Sequence, residues 1–131
     1  MHRKSIEVHG LSHKSAPIPI ACKIGQVFAT SGIGGRDIET GQMPADVAVQ
    51  AVNCFDNLKR VLEAGGLGMV DILKVTVYLA DESYRSTLNA PWLDHFPNPE
   101  CRPVRHTLVL PLRGGMLVQL EALAVASPAT D

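Results

Sequence analysis

What this 131-residue chain lacks narrows its chemistry before any motif is weighed. Its three cysteines, Cys22, Cys54 and Cys101, are odd in number and widely spaced. That argues against a disulfide framework, and no CxxC or Cys/His ligand spacing accompanies them. Of the five histidines, His2, His9, His13, His95 and His106, only His9 and His13 have HxxxH spacing, and they fall in a loop set by Gly10, Pro17 and Pro19 rather than on a helix, so no metal is expected. No apolar run approaches the roughly 18 residues that suggest a membrane-spanning helix. Charge of one sign is also missing. With 12 Lys and Arg against 13 Asp and Glu the net charge is -1, which gives nucleic acid no broad basic surface. The opening Met1-His2-Arg3-Lys4 runs into a polar-apolar alternation without a signal-peptide core, and a cytoplasmic address is expected.

What is present is enough apolar material, 46% of residues, for one hydrophobic core, and one domain over 1–131 is expected. Strands are predicted at Ser5 to His9, Ile20 to Ile24 and Val27 to Ser31, the last two joined through a tight Gly25-Gln26 turn. Gly32-Ile33-Gly34-Gly35 then opens a polar loop; its spacing matches neither a P-loop nor a dinucleotide fingerprint. Ala45 to Ala64 is the clearest helix, with Val47, Ala51, Phe55, Leu58 and Leu62 on one face and Gly65-Gly66 as the stop. A strand follows at Lys74 to Ala80, with Val75, Val77 and Leu79 pointing one way. A second helix is predicted over Asp81 to Phe96, where Leu88, Trp92 and Phe96 form a stripe. The order β-β-β-α-β-α-β-β describes an α+β fold with two helices on one face of a mixed sheet.

The last two strands, Val104 to Leu110 and Met116 to Ala126, flank Pro111-Leu112-Arg113-Gly114-Gly115, which has turn chemistry. Read as a hairpin, they set Leu110 against Met116, Arg105 against Glu121 and Thr107 against Gln119. One face would then carry these four polar residues. Leu108, Leu110, Met116, Val118, Leu120, Ala122 and Ala124 would form the core face, with His106 packed on that side. An Arg–Glu pair on a solvated face is common and contributes only about 0.2–1 kcal/mol, so a structural reading of the cluster stands beside a functional one. Leu117, Leu123 and Val125 share the polar face, and that favours burial by association.

At these residues the chain resembles the Rid family of reactive intermediate deaminases, also called the YjgF family. The resemblance covers nearly the whole sequence. It is carried by Thr30-Ser31-Gly32, Thr40-Gly41, Ala45-Asp46, Gln50, Asn57-Leu58 and Glu63-Ala64-Gly65-Gly66-Leu67. It continues through Val75-Thr76-Val77-Tyr78-Leu79, Asn89, Arg102-Pro103-Val104-Arg105 and Glu121-Ala122-Leu123-Ala124-Val125. It implies a chorismate-mutase-like fold, a homotrimer with clefts between subunits, and cofactor-free hydrolysis of 2-enamine and 2-imino acids to 2-oxo acids and ammonia. By the same resemblance Arg105 would bind the substrate carboxylate. Ser31 and Gly32 would line the cleft, Asn89 would be a pocket residue, and Glu121 the acid near the attacking water. Thr107 offers a hydroxyl close by.

Three positions depart from the family pattern. Ile18 stands where the best-known branch has tyrosine, Thr107 where it has cysteine, and Ile33 where many members have glutamine. The arginine-anchored pocket is therefore better supported than any one substrate. A non-catalytic module that holds small carboxylates or a partner protein in the same cleft is the second reading. An endoribonuclease or translation-inhibitor role is the third; no His–His or His–Lys constellation suited to phosphodiester cleavage supports it.

Overall fold

The computed structural model describes residues 2–128. Its strands are β1 (Lys4–Ile6), β2 (Ala21–Ile24), β3 (Val27–Thr30), β4 (Ile33–Gly34), β5 (Ile72–Leu79), β6 (Val104–Val109) and β7 (Val118–Val125). Its helices are α1 (Val47–Ala64) and α2 (Asn89–His95). The seven strands form one mixed sheet in the order β1-β2-β3-β7-β5-β6, with the short β4 also on β7. The expected α+β architecture is present.

α1 starts where Asp46, in extended conformation, accepts the amides of Ala48 and Val49 through Oδ1 at 2.7 and 3.4 Å. Those amides have no intrahelical acceptor, so a capping carboxylate satisfies them and complements the helix dipole. The helix stops in a Schellman arrangement. Leu67 N bonds Leu62 O and Gly66 N bonds Glu63 O, with Gly66 at φ +82°. Between these caps Ala51, Cys54, Phe55, Leu58, Val61 and Leu62 are fully buried. They meet Phe28, Val75, Val77, Leu79, Val118, Leu120 and Ala124 from the sheet. Each large apolar side chain removed from water in this way contributes about 1.5–3 kcal/mol.

The second helix is shorter than the pattern predicts. Glu82–Tyr84 and Ser86–Leu88 are 3-10 turns, and only Asn89–His95 is α-helical. Pro91 gives the physical reason. A continuous helix would need its missing N–H, and its ring would meet the carbonyl four residues earlier. Restarting at Asn89 places Pro91 in the first turn, where no donor is required. The stripe survives the break: Leu88, Trp92 and Phe96 are all buried. Phe55 of α1 packs edge-on to Trp92 of α2 at 6.4 Å, so both helices cover one side of the sheet.

The final hairpin does not form as the sequence suggests. β5 lies between β6 and β7, parallel to the first and antiparallel to the second. The chain from Leu110 to Leu117 steps over β5, tied by Leu110 N to Leu79 O and Ala80 N to Leu117 O. Two strand spacings are only about 10 Å, which an eight-residue connection spans easily. Gln50, buried in α1, clamps this connection. Its Nε2 donates to Pro44 O and Gly115 O, and its Oε1 accepts from Leu117 N.

This insertion turns β6 over relative to the expectation. Arg105 and Thr107 align with Val75 and Val77, on the helix side. Val104, His106 and Leu108 align with Lys74, Thr76 and Tyr78, on the open side. Leu108 and Leu110 are therefore not core, being partly exposed. Met116 is half-buried, and His106 is exposed rather than packed. β7 keeps the expected faces, with Val118, Leu120, Ala122 and Ala124 buried.

Candidate functional site

The candidate residues fall into two groups on opposite faces of the sheet. The first is built on the edge strand β6. Arg105 reaches back over α2, where its Nη1 and Nη2 each donate to Asn89 Oδ1 at 3.2 Å. Its Cζ lies 5.0 Å from the centre of the Trp92 ring, which holds the guanidinium plane by cation–π attraction. Partial burial lowers its pKa from the ordinary arginine value, and the nearby Arg85 charge adds to that. A guanidinium has five N–H donors. The only ion pair among the described residues is Arg85–Glu82, so Arg105 has no acidic partner there. Thr107 lies two residues along on the same face, half-buried. The arrangement is suited to receiving a planar carboxylate through two parallel bonds.

The second group is on the open face and its rim. Glu121 lies opposite Thr76, not Arg105, and Gln119 opposite Tyr78, not Thr107. Tyr78 Oη donates to Glu121 Oε1 at 2.5 Å. That bond to the carboxylate raises the phenol's pKa, with desolvation and the negative charge adding to it. The tyrosine thus keeps its proton and holds one carboxylate oxygen, leaving the other free. Tyr78 was legible only as a residue on the non-core parity of β5, and its role at Glu121 needed the register of two strands.

Beside Gln119 the chain kinks between β3 and β4. Thr30 Oγ1 accepts the Ala122 amide at 3.0 Å and donates to Ser31 O at 2.8 Å, taking the place of a backbone ladder bond. Gly32 lets the chain pass close to Gln119 here: a Cβ would sit 2.5 Å from Gln119 Nε2 and displace the end of that side chain. Asn57 fixes the segment from below, its Nδ2 donating to Gly34 O and Arg36 O. Ser31 Oγ donates to Ile20 O and lies 3.0 Å from His13 Nε2. A cleft of about 400 Å³ runs past Gly32 and Gln119, with His13, Lys14 and Arg36 on its walls. His13 and Arg36 carried no signal in the sequence as site residues. Ile18 is 52% exposed, an apolar side chain displayed on the loop before β2.

Ser31, Gly32, Gln119, Glu121 and Tyr78 are thus brought together, as are Arg105, Asn89 and Thr107. Within one chain the two sets are kept apart by β5 and by the thickness of the sheet. The open face between them is markedly apolar: Val27, Leu123, Val125 and Val104 are each more than a third exposed. Among the described residues no group of three His, Cys, Asp or Glu could hold a metal ion. No helix there is long and apolar enough to cross a membrane.

A mixed sheet with two helices on one face, and an unpaired arginine at its edge, defines a class of small α+β proteins before any relative is considered. Comparison with known proteins places the chain within that class. The model of the family described as endoribonuclease L-PSP matches residues 15–126, and the chain belongs to that family, the YjgF or Rid family. It is 33% identical over 124 residues to the 2-iminobutanoate/2-iminopropanoate deaminase of Escherichia coli strain K12, covering 93% of this chain and 97% of that one. The crystal structure of the E. coli YjgF gene product matches with a TM-score of 0.84 at 32% identity, covering 93% of this chain and 98% of its own. That of E. coli TdcF with bound serine matches with a TM-score of 0.85 at 30% identity, covering 95% and 99%.

Proposed function

We propose that this chain hydrolyses 2-imino and 2-enamino acids to 2-oxo acids and ammonia, without a cofactor, as a cytoplasmic homotrimer. Arg105 carries the reading: a half-buried cation, fixed by Asn89 and Trp92, with no carboxylate partner among the described residues. Its relatives' names as deaminases support the same chemistry. In the proposed assembly the apolar open faces pack together, and Arg105, Asn89 and Thr107 of one copy meet Ser31, Gly32, Ile18 and Glu121 of the next. The separation of the two groups within one chain is what makes a second copy necessary.

The steps follow from the residue types. Two parallel hydrogen bonds from Arg105 fix the substrate carboxylate in position and angle, which presents the C=N carbon to water; such orientation is worth several kcal/mol. Water adds to the protonated imine carbon as Glu121 accepts the water's proton. The nitrogen of the resulting carbinolamine takes that proton back, and ammonia leaves as the C–N bond breaks, C=O forms and the hydroxyl proton passes to the freed Glu121 carboxylate. Tyr78 keeps one Glu121 oxygen occupied throughout, so the other faces the water.

The test is stopped-flow hydrolysis of 2-iminopropionate generated in situ, together with sedimentation for the assembly. An Arg105→Ala variant as fast as the parent would remove this mechanism. A binding module without turnover is the second reading. Exposed Ile18, where the best-known branch has a phenol, favours it, and ligand binding with no hydrolysis by the parent protein would establish it.

A further inference from the structure

The cleft beside Ser31 has a charge pattern that the deaminase reading does not use. Lys14 and Arg36 line it together with His13, and no carboxylate does. Neither cation has an ion-pair partner among the described residues. Glu39 and Asp56 share an adjacent cleft with Arg36 but form no ion pair with it, and two other nearby acids are engaged. Glu7 Oε1 accepts from Ser12 Oγ and Ile20 N, and Asp37 Oδ1 accepts from Glu39 N and Thr40 N. Met43 and Met116 supply an apolar wall along the same cleft. His13 is placed by its 3.0 Å contact with Ser31, so the cleft adjoins the loop that would meet the substrate.

We propose that this cleft is a second anion subsite, in which Lys14, Arg36 and His13 take a carboxylate at the end of the substrate side chain. The inference rests on the deaminase reading for its first anchor: one carboxylate on Arg105 of a neighbouring copy, the other here. Methylenes between them would lie along the flexible thioethers, which adapt to an unbranched chain. Unpaired cations facing a cleft favour an anion through charge-assisted bonds, whereas a neutral side chain would leave them unused. The chain therefore selects imino acids derived from dicarboxylic amino acids.

Calorimetric titration of the whole protein with two stable 2-oxo acids tests this. The parent is expected to bind 2-oxoglutarate about tenfold more tightly than 2-oxobutyrate, the scale of a single charge-assisted contact. A Lys14→Gln/Arg36→Gln double variant loses that preference and keeps its affinity for 2-oxobutyrate; Arg36→Lys retains part of it. Equal affinities in the parent, or equal loss of both ligands in the double variant, would overturn the subsite. Hydrolysis of imines made in situ from glutamate and from alanine separates the two ideas. Selective dicarboxylate binding with neither imine turned over keeps the subsite and removes the deaminase. Turnover of both imines at equal kcat/KM keeps the deaminase and removes the subsite.

Discussion

β7 and β6 have the same period-two pattern in sequence, and the fold uses them in opposite ways. β7 sits inside the sheet between β5 on one edge and β3 with β4 on the other, and its alternate residues are buried. β6 is an edge strand bonded to β5 alone, and none of its residues is fully buried. On the helix side an interior strand cannot present a long cation without burying it unpaired, which costs several kcal/mol. An edge strand can, because one flank and the rim of the helix layer remain open. Arg105, the proposed anchor, is on the strand the core can spare, and Glu121 projects from the open face of the strand it cannot.

Paired leucines give the largest expected contrast. Leu120→Ala on β7 removes a fully buried side chain and should cost about 2–5 kcal/mol in denaturant unfolding. Leu108→Ala on β6, 37% exposed in the single chain, should cost less than about 1 kcal/mol. Equal losses would mean that β6 is buried, by another copy. Next, Arg105→Ala should lower kcat/KM for imine hydrolysis by roughly 100-fold, two charge-assisted bonds' worth, with unfolding shifted by less than about 1 kcal/mol. A comparable loss of stability would show that the edge strand carries structure after all.

Tyr78→Phe sharpens the contrast further, since it touches Glu121 without touching the core. The expected result is a kcat lowered about threefold to tenfold with KM unchanged, on the scale of one hydrogen bond near 1 kcal/mol. A rise in KM alone would place Tyr78 in binding instead. The smallest effect concerns Cys54, whose thiol burial pushes far up in pKa. Because the folded value is raised, the stabilisation is complete below the ordinary thiol value of 9.0 and declines as pH climbs above it. Cys54→Ala should therefore flatten the alkaline side of the stability profile. Exposed Cys101 should react with iodoacetamide in the native protein while Cys54 does not.

Much of the molecule was legible along the chain. The apolar face of α1, its Gly65-Gly66 stop, the Gly25 turn and the inward parity of β5 and β7 all follow from neighbours within a few residues, and all are as expected. β4 escaped notice because two residues, Ile33 and Gly34, are too few to show a period; only their pairing with Leu120 and Gln119 makes them a strand. The break before Asn89 was readable in Pro91, yet the apolar stripe of Leu88, Trp92 and Phe96 outweighed it.

The amino-acid order by itself determined where strands and helices form and which side of most of them turns inward, because alternation and helical spacing are local. It could not determine which strand lies beside β6. That choice was made by β5, whose Val75, Val77 and Leu79 are fully buried beneath the helices and take the central place. The exchange of one neighbour carried Arg105 to the helix side and left Glu121 on the other. Strand partnership is settled by the burial of the whole sheet at once, and no window of sequence contains that sum.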